Sequence, residues 1–422
     1  MKQIQINNFK EKVYYEKLDN NMQIFLVPME NKKTFSASIY VDYGSYDISF
    51  KKDNKIYNTP EGIAHFLEHK LFEREDNPFT FYAKSGTDVN AYTTQDATSY
   101  YFFGNNEFYD NLKYLLNWIK TINIDEKSVE KEKGIILEEA RMYLDKPDRV
   151  LVEKINENTF SSHPYKNKVI GTLDSIKNIT KEDIILCYYS FYRPDNLFLV
   201  VSGSFDETKA IEIIKEELKD YKNPNEKIEK IEYEEKDEVS KEYEELYMTT
   251  SIPKLAISYK INKEVFKDLK LDKYYLDYYM YMYNSLSLSK TSEVMEELFN
   301  ESLYSYTNSY IYDTDKHYII TFLADTNKPK ELAEKISEIT KNPKLLEEDF
   351  KRKIKTWIAS EIKISDDPRA LSDSISSDIL EYKEFKNNKI EDLKSLKFAT
   401  LLQIKQKLNF ENKAVVIIYP KK

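Results

Sequence analysis

The hydrophobic pattern of this chain changes period several times. Residues 22–27 and 35–41 are apolar runs separated by a polar turn at 30–33, which predicts two strands. From Pro60 to about residue 73, Ile63, Phe66, Leu67 and Leu71 recur at helical spacing. Residues 88–94 and 99–103 predict a hairpin, 107–122, 125–144 and 180–191 predict helices, and 196–203 predicts a buried strand. The second half repeats the order. A strand is expected at 255–261, a helix at 269–286, a hairpin from 303–312 and 317–323, helices at 329–340, 347–364 and 390–408, and a strand at 414–419. The repetition predicts a diverged duplication. The expected class is α+β: two homologous α/β-roll domains, each a mostly antiparallel sheet covered by helices on one face. Their expected bounds are 1–218 and 247–422, joined at 219–246 by a linker dense in Lys and Glu.

Composition narrows the function. With 422 residues, 41% of them hydrophobic, the chain can fill two cores and is not a disordered polymer. Its net charge of −10, with both signs interspersed, argues against a nucleic-acid partner, because phosphate contacts need a basic surface. The first residues hold no long apolar run and no small-residue cleavage site, so a cytoplasmic protein without a membrane span is expected. The single cysteine, Cys187, excludes an intrachain disulfide framework and reads as a buried small hydrophobe. All seven glycines and three of the four histidines fall within the first 203 residues, which suggests one working half and one supporting half. Of the histidines, His163 reads as a loop contact before Pro164, and His317 as a surface residue on a strand. The stripe of Tyr275, Tyr278, Tyr279 and Met282 reads as core or subunit interface.

Residues 65–69, His-Phe-Leu-Glu-His, carry the chemistry. On a helix, His65 and His69 are four apart and share a face, so both imidazoles can reach one ion. Glu68 lies close to that face and can meet a bound water without being a ligand. Catalytic zinc takes a third protein ligand and keeps a fourth position open. Glu132 and Glu139 are two helical turns apart, on a face flanked by Ile135, Ile136 and Met142 that is expected to point inward. A buried carboxylate needs a partner. Zinc supplies one for Glu139, and Glu132 can orient a ligand histidine. Glu138 points about 100° away from Glu139 and is the weaker candidate.

These residues resemble the pitrilysin/insulinase family of zinc peptidases, which includes the mitochondrial processing peptidases. Residues 62–69 are similar to its metal helix, and Glu132 and Glu139 to its paired glutamates. Residues 86–102 resemble the hairpin whose edge strand pairs with the substrate backbone, which implies roles for Asn90, Ala91 and Tyr92. His163-Pro-Tyr, Gly171 and residues 192–197 fit as well. The resemblance implies one Zn2+ per chain, Glu68 as catalytic base, and unfolded peptides as substrates. The second half departs from the pattern. Active members carry an Arg and a Tyr, seven apart, that steady the substrate carbonyl and the oxyanion; here the place of the Arg is taken by Glu297 or Phe299, and Tyr304 or Tyr306 stands near the place of the Tyr. The run 291–299 resembles bacterial members that work as paired, non-identical subunits. A homologous partner supplying the Arg/Tyr half-site is therefore expected, in a heterodimer or a homodimer. The competing reading is a non-catalytic scaffold or peptide-binding member.

Overall fold

A computed structural model describes residues 1–421; Lys422, the last residue of the expected second domain, lies outside the described residues. The chain forms two compact units that interleave along the sequence.

The first unit comprises residues 1–140, 168–231 and 358–392. Its strands are β1 (Lys2–Gln5), β2 (Lys12–Lys17), β3 (Gln23–Pro28), β4 (Phe35–Val41), β5 (Ser49–Lys52), β6 (Lys55–Asn58), β7 (Asp88–Thr93), β8 (Thr98–Gly104), β9 (Leu197–Gly203) and β10 (Ile228–Lys230). Seven of them make one sheet in the order β1-β2-β3-β9-β4-β8-β7, antiparallel except for β3 beside β9. The others form a small sheet, β10-β5-β6. The second unit comprises residues 141–167, 232–357 and 393–422. Its strands β11 (Tyr243–Met248), β12 (Lys254–Asn262), β13 (Tyr306–Asp313), β14 (His317–Asp325) and β15 (Lys413–Pro420) pair in the order β11-β15-β12-β14-β13, with only β11 and β15 parallel. The run β3-β9-β4-β8-β7 and this sheet match position by position, the parallel pair included. The duplication expected from sequence is thus visible in the topology, and the class is α+β.

The helices of the first half are α1 (Ile63–Phe72), α2 (Pro78–Ala83), α3 (Phe108–Ile119), α4 (Glu126–Leu144), α5 (Pro147–Thr159), α6 (Leu173–Asn178), α7 (Lys181–Phe191) and α8 (Glu207–Leu218). Those of the second are α9 (Lys273–Ser287), α10 (Glu293–Asn300), α11 (Pro329–Lys341), α12 (Glu347–Asp366), α13 (Pro368–Tyr382), α14 (Lys389–Ser395) and α15 (Phe398–Lys407). The single helix expected at 390–408 is two, α14 and α15.

Each of the two larger sheets carries helices on both faces, not on one, and the second face is covered by a helix from the other half of the chain. From the first half, α5 packs Leu151 and Ile155 onto Ala256, Ala414, Val416 and Ile418 in the second unit. From the second half, α13 packs Leu371, Ile375 and Ile379 onto Phe25, Val27, Tyr40, Phe198 and Val200 in the first. The unit bounds therefore cut across the expected 1–218 and 247–422, because a sheet with two apolar faces needs more cover than its own half supplies.

The expected linker is not a free tether. In the first unit β10 pairs with β5. In the second, Glu235 accepts hydrogen bonds from the backbone N–H groups of Ser161, Ser162 and His163 and from Lys260 Nζ at 2.6 Å. Nearby, His317 is fully buried rather than exposed, its Nε2 lying 2.8 Å from Asp237 Oδ1. Cys187 is buried, as expected, and burial pushes its thiol up to about 12. Among the described residues no helix is long and apolar enough to cross a membrane.

Candidate metal centre

Helix α1 is held from both ends. Gly62 caps its start with φ of 87°, and a Cβ there would lie 2.3 Å from the Ile170 carbonyl oxygen. Gly171 returns the constraint, also at φ 87°, with a virtual Cβ 2.5 Å from the Glu61 carbonyl oxygen. Only glycine tolerates this backbone and this approach. The helix consequently begins at Ile63, not at Pro60. Along its length Phe66, Leu67 and Leu71 are buried. Lys70 is also fully buried, pairs with Glu73 and donates to Ser128 Oγ at 2.8 Å, while Trp118 Nε1 donates to the Leu71 carbonyl at 2.6 Å. These bonds fix the end of α1 against α3 and the start of α4. The rings of His65 and His69 stand on the partly exposed side, their centroids 4.6 Å apart.

Helix α4 brings the third donor. Its buried stripe is Val129, Glu132, Ile136 and Ala140. Ile135 and Met142, expected inward, are exposed. They lie on the flank next to Glu139 rather than on the packed face, so only Ile136 of the three faces the core. Glu139 Oε2 is 3.7 Å from His69 Nε2 and 4.0 Å from His65 Nε2. One donor atom from each of the three residues lies within 4.8 Å of the others. Two imidazole nitrogens and one carboxylate oxygen are a donor set suited to zinc, and three protein ligands leave a position free. Glu132 Oε1 lies 2.9 Å from His69 Nδ1, which turns Nε2 toward Glu139. Burial opposes a charge on the His69 ring, but the Glu132 bond and the nearby carboxylates outweigh it and hold the ring's pKa above its usual value. Glu138 is exposed.

Glu68 sits at the same corner, 8% exposed. Burial raises its carboxyl, as does the charge of Glu139; a bond from Thr93 and the charge of His69 work the other way. That bond runs from Thr93 Oγ1 to Glu68 Oε2 at 2.6 Å. Thr93 ends β7, the open edge of the seven-stranded sheet. Strand residues alternate between faces. Ala91 and Thr93 share the α1 face, whereas Asn90 and Tyr92 share the α13 face, where the Tyr92 hydroxyl meets that of Tyr40 at 3.3 Å. The Ala91 N–H bonds to the Asn90 side-chain oxygen at 2.9 Å and not to β8, so it belongs to the free edge. Asn90, Ala91 and Tyr92 thus lie together on the open strand but face two ways. Sequence reading passed over the Thr93 side chain, although period-two alternation from Ala91 points to it.

In the second unit, Phe299 is exposed and Tyr306 is exposed at the start of β13. Tyr304 is buried, its hydroxyl donating to the Met295 carbonyl at 2.7 Å, which removes it from any solvent-facing role. Neither register holds an arginine. His163 is also in this unit. It is a buried loop contact whose Nδ1 accepts from the Tyr165 N–H at 3.2 Å, and burial holds its ring at about 4.

The chain is similar to known proteins of one family. The profile of Insulinase (Peptidase family M16) matches residues 24–173, and that of the Peptidase M16 inactive domain matches residues 178–356. The chain is 34% identical over 349 residues to YmfH of Bacillus subtilis, an uncharacterized zinc protease, covering 80% of each. It is 27% identical over 202 residues to the mitochondrial-processing peptidase subunit beta of Saccharomyces cerevisiae, covering 46% of this chain and 42% of that one. Among solved structures, an M16-like peptidase from Alicyclobacillus acidocaldarius superimposes with a TM-score of 0.92 at 27% identity, over 99% of this chain and 100% of that one.

Proposed function

Because this chain belongs to the insulinase (M16) family of peptidases, we propose that it is a zinc-dependent endopeptidase subunit that hydrolyses unfolded peptides. The observation that carries the reading is the convergence of His65, His69 and Glu139 beside the buried Glu68. His65, His69 and Glu139 hold one zinc ion, and Glu132 orients His69. When bound, zinc supplies Lewis-acid polarisation of the scissile carbonyl and lowers the pKa of water. The Glu68 carboxylate takes the proton from the attacking water and delivers it to the leaving amine nitrogen. The peptide joins β7 as an added strand, using the outward backbone groups of the edge near Asn90, Ala91 and Tyr92. A segment that adds to β7 must be extended and free of its own backbone pairing on that side, which favours unfolded chains.

Oxyanion stabilisation is the missing part. Losing one such donor costs on the order of 10²–10³ in rate. Phe299 offers no donor and the Tyr304 hydroxyl is engaged with Met295. A homologous subunit carrying the Arg/Tyr pair completes the site, in the cytoplasm. The test mixes the zinc-loaded chain with such a homologue and follows cleavage of an internally quenched unfolded peptide, with Glu68→Gln as control. Hydrolysis by the mixture alone, abolished by a chelator and by Glu68→Gln, is the expected result. Equal activity without the partner removes the split site. No hydrolysis and no stoichiometric zinc removes the peptidase reading and leaves a scaffold.

A further inference from the structure

The edge strand and the base are joined by a side chain that backbone pairing does not require. We infer that Thr93 is a positioning residue: its hydroxyl aims the Glu68 carboxylate at the corner formed by His65, His69 and Glu139, so that the strand that receives the peptide also sets the base. This inference rests on the peptidase reading.

Three observations carry it. Thr93 Oγ1 donates to Glu68 Oε2 at 2.6 Å, the usual length of an O–H to carboxylate bond and shorter than most bonds between neutral oxygens. Thr93 Oγ1 also lies 3.4 Å from Thr98 Oγ1, whose own hydroxyl is committed to the Tyr43 carbonyl at 3.0 Å. Thr98 therefore has no proton left to give Thr93, and the Thr93 hydroxyl proton goes to Glu68, the nearer acceptor. Thirdly, Thr93 pairs directly with Thr98 in the β7–β8 ladder, so the position of Oγ1 is set by the sheet and not by a flexible loop. A carboxylate has two oxygens. Fixing Oε2 on the strand leaves Oε1 as the proton-carrying atom and fixes its direction. Valine has the shape of threonine but no donor, so it frees the carboxylate to rotate while keeping the fold.

The experiment compares wild type, Thr93→Val, Thr93→Ala and Thr93→Ser, each with its homologous partner subunit and each loaded with zinc or, for spectroscopy, with Co2+. Thr93→Val is expected to lower kcat by about 10- to 100-fold, with KM and zinc content little changed, since the general base as a whole contributes about 10²–10⁴. Thr93→Ser, which keeps the hydroxyl, is expected to restore most of kcat. The visible spectrum of the Co2+ form, read without substrate, is expected to change in Thr93→Val and Thr93→Ala and to match wild type in Thr93→Ser. A Thr93→Val enzyme with wild-type kcat and an unaltered spectrum overturns the inference. A kcat loss in Thr93→Val that Thr93→Ser shares equally overturns it too, because the hydroxyl is then not the cause. If wild type binds metal but cleaves no peptide, the peptidase reading falls by itself, and the cobalt spectra still decide whether Thr93 sets Glu68.

Discussion

Glu132 Oε1 and His69 Nδ1 lie 2.9 Å apart, although the two residues are 63 positions apart in sequence, with α2, β7, β8 and the whole of α3 between them. Glu132 is 7% exposed and has this ring as its polar partner, so its carboxylate fixes which nitrogen of His69 faces Glu139. Replacing it with Gln keeps a hydrogen bond but gives up the charge. Glu132→Gln is expected to weaken zinc binding by about 10- to 100-fold, measured by competition with a chromogenic chelator. Unchanged affinity would mean that the His69 ring is held by helix packing alone.

The two adjacent acids at the end of α4 should behave differently. Glu139 has its carboxylate within 4.0 Å of both rings, whereas Glu138 is exposed. Glu139→Gln is expected to leave the purified protein with little zinc by elemental analysis. Glu138→Gln is expected to keep it at the wild-type level, with stability altered by less than about 0.5 kcal/mol.

Ala91 offers a clean test of strand addition. Its N–H does not serve the β7–β8 ladder, so proline, which lacks that donor and is tolerated on edge strands, removes an outward bond while sparing the sheet. Ala91→Pro is expected to raise KM for an unfolded peptide by about tenfold, one backbone hydrogen bond being worth roughly 0.5–1.5 kcal/mol, with zinc content unaltered. A KM equal to wild type would place the peptide elsewhere.

Acid should loosen the second unit in two stages. His163 is kept at about 4 by burial, against roughly 6.5 when unfolded, so the unfolded state gains a proton first and stability falls between about pH 6.5 and 4. Burial alone would push Glu235 up; the Lys260 bond and three backbone N–H groups override it and hold the carboxyl at about 2. Its contribution is complete above roughly pH 4.3 and is lost as pH drops toward 2. In urea unfolding followed against pH, Glu235→Gln should flatten the lower stage and His163→Asn the upper. Glu235→Ala at neutral pH leaves the Lys260 ammonium buried without its partner and is expected to cost about 3–5 kcal/mol.

The residues at the metal corner could be read in the chain because their spacing is local: His65, Glu68 and His69 need only one helical turn, and Glu132 and Glu139 two. Nine strands, β3, β4, β7, β8, β9, β12, β13, β14 and β15, were legible for the same reason, since their runs are bounded by turns; the outer strands β1, β2 and β11, with few buried positions, were not. What stayed hidden depends on partners far away in sequence. α5 and α13 carry narrow stripes, Leu151 with Ile155 and Leu371 with Ile375 and Ile379, that acquire meaning only beside a sheet contributed by the other half. His317 looked exposed between charged neighbours, but its ring is buried, and the return of Asp237 from far away in sequence gives its Nε2 a partner. Ile135 and Met142 misled in the opposite sense, because apolar residues beside a ligand need not belong to a core.

The reciprocal loan of α5 and α13 means that neither half of this gene encodes a self-sufficient protein. A product ending near residue 231 would lay bare Tyr40, Phe198 and Val200 while dangling an amphipathic arm with nothing to grip. Two identical ancestral chains could have satisfied each other by trading that arm.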